Sequence, residues 1–157
     1  MDISKLDKGV LEVLVRQIIE EKLNGAKGSV DFDRHKDISG ITSIKLPKIK
    51  VDESNRLDTG NSNDVVYTKD LFSLEESPRL GCGIMEMKET TFDWTLNYDE
   101  IDYVIEGTLD ILIEGRKITA SEGELILIPK GSSIKFSVPN YARFIYVTYP
   151  ADWASQA

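Results

Sequence analysis

A single cysteine, Cys82, stands in this chain of 157 residues, so neither an intrachain disulfide nor a cysteine-rich zinc site can form. Histidine is as scarce, and His35 alone excludes a multi-histidine metal site within one chain. No window approaches eighteen uninterrupted apolar residues, which argues against a membrane-spanning helix. The stretch from Met1 to Lys8 alternates charged and apolar residues and lacks the apolar run of a signal peptide. Basic residues are outnumbered, 19 against 27 acidic, and the net charge of −8 repels nucleic acid and anionic lipid. Neither is expected as a partner. What is present is 41% hydrophobic and 29% charged residues, enough to fill the core of one ordinary domain. The expectation is a soluble, acidic, cytoplasmic protein of a reducing compartment.

Leu11, Leu14, Val15, Ile18, Ile19 and Leu23 recur at helical spacing, with Glu12, Arg16, Gln17, Glu20, Glu21 and Lys22 on the other face. Ser4 or Asp7 suits the start of this helix, and Asn24-Gly25 suits its end. An isolated helix of this length is marginal in water. The stripe is therefore expected to dock on its own domain, a second copy, or another protein through Leu11, Leu14, Ile18 and Leu23. From Gly25 to Asn63 the chain turns to Gly, Asp, Ser, Asn and Lys, with one possible short strand at Ile41–Leu46.

Beyond Tyr67 short β signals follow one another at near-regular spacing. They cover Cys82–Lys88, Ile101–Ile105, Leu109–Ile113, Lys117–Thr119, Leu125–Ile128, Ser133–Val138 and Arg143–Tyr149. Glu114-Gly115 predicts a tight hairpin, and Pro129-Lys130-Gly131 a sharp turn. This order predicts an all-β sandwich or barrel and excludes a doubly wound α/β fold. The expected organisation is a helix over residues 1–25, a loose arm over 26–66 and a β domain over 67–157.

Two glycine-anchored segments add detail. Six residues separate Glu100 from Gly107, and five separate Gly123 from Pro129-Lys130-Gly131. Together they resemble the two motifs of a cupin, a small double-sheet β-barrel of the jelly-roll type. Metal-binding cupins place His-x-His shortly before that glutamate and another His three residues after the second motif's last glycine. Here those places hold Trp94, Leu96 and Ile134. None donates a lone pair suited to Zn, Fe, Cu or Ni, so no transition metal is expected.

A closer likeness rests on Trp94-Thr95-Leu96-Asn97-Tyr98-Asp99-Glu100-Ile101-Asp102 and on Ile128-Pro129-Lys130-Gly131-Ser132-Ser133-Ile134. Arg143-Phe144-Ile145-Tyr146-Val147 and Pro150-Ala151-Asp152-Trp153 extend it. These segments resemble the EutQ family of ethanolamine utilisation proteins, densely from about Gly83 to Trp153 and more loosely over the helix. The resemblance implies a role in ethanolamine catabolism in or at a bacterial microcompartment, an acetate kinase activity, and an N-terminal part recruited to shell proteins. Cupin relatives also imply a homodimer.

The residues themselves allow phosphoryl transfer only on one condition. No Walker-type or protein-kinase motif is present, and Pro129-Lys130-Gly131-Ser132-Ser133 reads first as a structural turn. An acidic cavity repels acetate and nucleotide phosphates unless a divalent cation intervenes, and Glu100, Asp102 and Asp99 are oxygen donors suited to Mg²⁺ brought with ATP. Which way the strand faces decides the matter. Glu100, Asp102 and Val104 share one face, whereas Ile101, Tyr103 and Ile105 share the other. Periodicity alone would bury the second set, but the cupin template turns Glu100 inward. Inward carboxylates would stand roughly 6–7 Å apart by strand rise, and one should titrate high.

Trp94 and Tyr98 are expected at the pocket mouth or in ordinary packing, and Cys82, Met85 and Met87 in the core. Lys88, Lys135 and Arg143 can steer an anion, with solvated surface charge the default. The leading reading makes Glu100 and Asp102 the catalytic pair that organises Mg²⁺. Trp94, Tyr98 and Asp99 then shape the substrate site, and Lys130 or Lys135 meets phosphate. Two alternatives are a non-catalytic factor joining cargo to shell through the helix, and a cupin that binds a small metabolite.

Overall fold

A computed structural model describes residues 7–24 and 32–156. The chain divides after Lys50 into two compact units. In the first, α1 spans Lys8–Asn24. The Asp7 carboxylate accepts the Gly9 amide at 3.2 Å, and the Asp7 carbonyl accepts the Leu11 amide at 3.0 Å, so Asp7 caps the helix. Ser4, the other candidate, lies outside the described residues, as do the side chain of Leu23 and residue Gly25. Leu11, Leu14, Val15, Ile18 and Ile19 are all exposed, at 42–55%.

The single strand expected over Ile41–Leu46 is instead one arm of a hairpin. β1 (Arg34–Lys36) pairs antiparallel with β2 (Thr42–Ile44), and a 3-10 turn at Leu46–Lys48 follows. Asp33 holds the base of this hairpin together, taking Lys45 at 3.2 Å and Lys48 at 2.8 Å. His35 is exposed on β1.

The second unit is a rolled antiparallel sheet of the cupin type. Its strands are β3 (Val65–Asp70), β4 (Gly81–Thr95), β5 (Asp99–Ile113), β6 (Arg116–Ser121), β7 (Leu125–Ile128) and β8 (Ser133–Tyr149). The order is β3-β4-β8-β5-β6, with β7 added to β5. Several separate strands of the sequence reading are continuous here. Ile101–Ile105 and Leu109–Ile113 both belong to β5, and Ser133–Val138 and Arg143–Tyr149 both belong to β8. Glycine and proline at their junctions mark bulges rather than ends. Register shifts occur between Val104 and Glu106 and between Gly107 and Asp110, and again opposite Pro139 between Lys88 and Thr90. Bulges bend long strands and let one sheet wrap around a core.

Gly107 is required at its bulge. Its φ is +79°, and a Cβ there would lie 2.0 Å from the Tyr141 carbonyl oxygen. The Glu114-Gly115 hairpin forms as expected, with both residues at positive φ and Ile113 paired to Arg116. Inward residues alternate along every long strand. Leu96, Val104, Phe136, Phe144, Met85 and Met87 are all 6% exposed or less. Each large apolar side chain so buried contributes roughly 1.5–3 kcal/mol.

Candidate functional site

The pleat of β5 turns Glu100, Asp102 and Val104 into the barrel and leaves Ile101 and Tyr103 outside. Glu100 is 4% exposed and Asp102 fully buried, whereas Ile101 and Tyr103 are 41% and 44% exposed. The carboxylates thus take the side that hydrophobic periodicity assigns to solvent. Their neighbours across the sheet explain how they are accommodated. Glu100 stands opposite Ile128 on β7 and Thr148 on β8, and Thr148 stands opposite Gly81 on β4. One row further in, Asp102 stands between Ile126 and Tyr146, and Tyr146 stands opposite Gly83.

Two glycines make this possible. A Cβ at Gly83 would meet the Tyr146 ring and hydroxyl at 2.0 Å, and one at Gly81 would meet the Thr148 hydroxyl at 2.2 Å. The Tyr146 hydroxyl passes over Gly83 and donates to Asp70 at 2.6 Å. Burial pushes the phenol's pKa well up, and the charge on Asp70 pushes it further.

The electrostatics of the pair are unusual. Glu100 Oε1, both carboxyl oxygens of Asp102 and the Thr148 hydroxyl are buried with no donor from any other described group, and the two carboxyls are close enough to share a proton. Burial raises the Glu100 pKa to about 7 against the opposing effect of its hydrogen bond with Asp102. Burial also raises Asp102 strongly, with the charge of Glu100 and the same hydrogen bond adding to the effect. Two desolvated acids with no donor nearby are stable together only with a proton or another cation between them.

Above Glu100 opens a pocket of about 270 Å³, open solvent at its mouth included. Six aromatic rings line it, with Leu57 and Met85 completing the wall. Trp94 Nε1 donates to the Tyr98 hydroxyl at 2.8 Å. Trp153 packs at 6.5 Å from Trp94, 6.0 Å from Tyr98 and 5.9 Å from Tyr146, centroid to centroid. Phe92 stacks on Phe136 at 5.5 Å. The 3-10 turn Trp153–Gln156 is tied down by Asn97, whose amide donates to the Gln156 carbonyl at 2.7 Å. Burial raises the Tyr98 pKa well above its usual range, and the Glu100 charge adds to this.

Glu100, Trp94 and Tyr98 come together at this pocket, and Asp102 lies beneath it. Asp99 does not join them. It is exposed, and its carboxylate accepts the Lys130 amide at 2.9 Å, fixing the Pro129-Lys130-Gly131 turn. Lys130 and Lys135 are exposed and outside the pocket lining, and Lys135 pairs with Asp93 at 2.8 Å. Arg143 pairs with Glu86. Cys82 is half-buried rather than in the core, and burial pushes its thiol pKa up.

Sequence reasoning missed Tyr146, Thr148 and Trp153 as site residues. A signal was available for two of them, because Tyr146 and Thr148 share a face with the apolar Phe144 at strand spacing. Trp94, Leu96 and Ile134, at the cupin ligand places, are all partly or fully buried among core residues. Among the described residues no three His, Cys, Asp or Glu side chains cluster as metal ligands.

Comparison with known proteins agrees with the architecture. The family model for ethanolamine utilisation protein EutQ matches residues 6–155. A curated protein of Clostridioides difficile, named acetate kinase EutQ, is 80% identical over 99% of both chains. The solved structure of the Clostridium difficile EutQ protein aligns with a TM-score of 0.81 at 83% identity, covering 82% of this chain and 94% of its own. The cupin domain of Schizosaccharomyces pombe Cnp3 aligns at 12% identity with a TM-score of 0.53, over 69% of this chain and 73% of its own, a likeness of fold alone. The chain belongs to the EutQ family of ethanolamine utilisation proteins, built on a cupin barrel.

Proposed function

We propose that this chain transfers the terminal phosphoryl group of ATP to acetate, giving ADP and acetyl phosphate during ethanolamine catabolism. The observation that carries the reading is the buried oxygen cradle of Glu100 Oε1, Asp102 and Thr148 Oγ1, to which no other described group donates. The name acetate kinase EutQ, borne by the 80% identical relative, supports the same activity class. An all-oxygen donor set suits Mg²⁺. Bound there, Mg²⁺ would offset the negative charge of acetate and of the transferring phosphoryl group.

The chain's own side chains supply position. Trp94, Tyr98 and Trp153 exclude water and give the acetate methyl an apolar wall. An acetate oxygen attacks the terminal phosphorus as the bond to the bridging oxygen of ADP breaks. A nucleotide is too large for the pocket and would lie across its mouth. Lys130 is proposed to meet phosphate from outside the pocket lining, the fixed position of its backbone beside Asp99 supporting that role. Lys135 takes no such role, since it faces out of the barrel to Asp93. Incubation with Mg-ATP and acetate should yield ADP and acetyl phosphate, and Glu100→Gln should lower the rate at least tenfold without unfolding the barrel. A wild-type rate equal to a protein-free blank would end this reading.

A second reading is favoured by α1, whose exposed stripe of Leu11, Leu14 and Ile18 is suited to a shell protein of a microcompartment. It places the protein at the shell and is compatible with catalysis. A homodimer is proposed from the outer face of the barrel, where Ile101 pairs with Leu127 and Tyr103 with Leu125, all four exposed.

A further inference from the structure

We propose that the pocket over Glu100 binds a small organic ammonium ion, with its N–H groups on the Glu100 carboxylate and its carbon atoms against the aromatic walls. The inference shares the oxygen cradle with the kinase reading but does not rest on phosphoryl transfer. Three features carry it. Among the described residues the one charged side chain lining the pocket is Glu100, and its Oε1 is buried with no donor from outside the pair. Asp102 lies beneath it, fully buried and hydrogen-bonded, among the described residues, to Glu100 alone, so the charge of the pair is presented to the pocket at Glu100. The walls are aromatic, with Trp94, Tyr98 and Tyr146 spaced 5.9–6.5 Å around Trp153.

These features select a ligand class. Ring faces carry negative charge and attract a cation within about 6 Å, more strongly where water is excluded. A hydrated metal ion gains nothing from them, whereas an alkylammonium uses both the faces and the carboxylate. A lone anion meets two acids and no lining cation among the described residues. A neutral alcohol of the same shape offers the Glu100 carboxylate one O–H donor but no charge, and so makes the weaker hydrogen bond. Most of the 270 Å³ is open mouth and the enclosed part holds little more than a water, so only the ammonium head enters and the carbon atoms lie against the rings at the mouth. An ammonium seated there also occupies the cradle proposed for Mg²⁺, so the two cations should exclude one another.

Calorimetric titration of metal-free, nucleotide-free protein tests this at pH 8. Protonated ethanolamine is the probe, 1-propanol its neutral isostere and acetate the anionic control. The expected result is saturable one-to-one binding of the amine, at least tenfold tighter than either control. Glu100→Gln and Trp153→Phe, checked for folding by circular dichroism, should weaken it by tenfold or more and by a few-fold, respectively. Equal binding of 1-propanol, or unchanged binding by Glu100→Gln, would overturn the proposal, as would no binding of the amine by folded wild-type protein. Amine binding without acetyl phosphate formation would leave this proposal standing and end the kinase reading. Turnover without amine binding would do the reverse.

Discussion

Glu100 and Thr148 face each other across β5 and β8, and each keeps a buried side-chain oxygen without a hydrogen bond. Folded proteins rarely leave such atoms unmatched, because each costs about 1–3 kcal/mol. With Asp102 one row deeper, the barrel holds three oxygen-bearing side chains poised for a cation or proton. Both functional proposals grow from this relationship.

The first prediction concerns pH. The Glu100 pKa is raised in the fold, so its contribution to stability is full below the unfolded value of about 4.5 and falls as pH rises through about 7. The loss should be on the order of 3 kcal/mol between pH 4.5 and pH 8. Asp102, Tyr98 and Tyr146 face the same space; Asp102 should act in the same direction, and neither phenol ionises in that window. Denaturant melts across this range should show the decline, and Glu100→Gln should flatten it. An equal slope in the variant would remove Glu100 from the account.

A second prediction concerns the glycine beneath the tyrosine. Gly83→Ala places a methyl 2.0 Å from Tyr146, which must leave its place over Gly83 and its bond to Asp70. The expected cost is about 2–4 kcal/mol, larger than an ordinary core substitution. Gly83→Ala with Tyr146→Phe should recover little, because the ring as well as the hydroxyl meets the new methyl. Equilibrium unfolding decides it, and a Gly83→Ala variant as stable as wild type would contradict the packing.

The barrel was legible in the sequence because alternation and turn chemistry are local. The Glu114-Gly115 hairpin and the two glycine motifs formed as expected. Strand continuity was not legible, because Gly107 and Pro139 interrupt a ladder in the same residues that would end one. β3 and β1 were missed for a related reason. Val65–Asp70 owes its strand to pairing with β4, and Arg34–Lys36 owes its strand to Thr42–Ile44. The inward turn of Glu100 and Asp102 runs against hydrophobic periodicity, and only the cupin template pointed to it. Trp153 reaches the pocket through a C-terminal 3-10 turn anchored by Asn97, a contact 59 residues away in sequence.

The outer face supports a third prediction. Tyr103→Glu with Leu127→Glu leaves inward packing untouched, since both side chains are exposed, at 44% and 60%. If a second copy covers this face, sedimentation should show a wild-type dimer and a monomeric variant with a native β spectrum. Wild-type protein sedimenting as a monomer would exclude the dimer.

The helix supports a fourth. Leu14→Glu with Ile18→Glu should leave the melting temperature within a few degrees, because both side chains are exposed, at 42% and 55%. Co-sedimentation with microcompartment shells should be lost. A sharply lower melting temperature with shell binding unchanged would defeat the docking role of α1.

The central claim is that Glu100 and Asp102 form a desolvated pair awaiting a cation. Carbon-13 labelled carboxyl groups, followed by NMR between pH 3 and pH 9, test it most directly. Glu100 should titrate near 7 and Asp102 well above the ordinary aspartate range, and saturating Mg²⁺ or protonated ethanolamine should lower the Glu100 value. Both carboxyls titrating near 4, unmoved by either cation, would contradict the account.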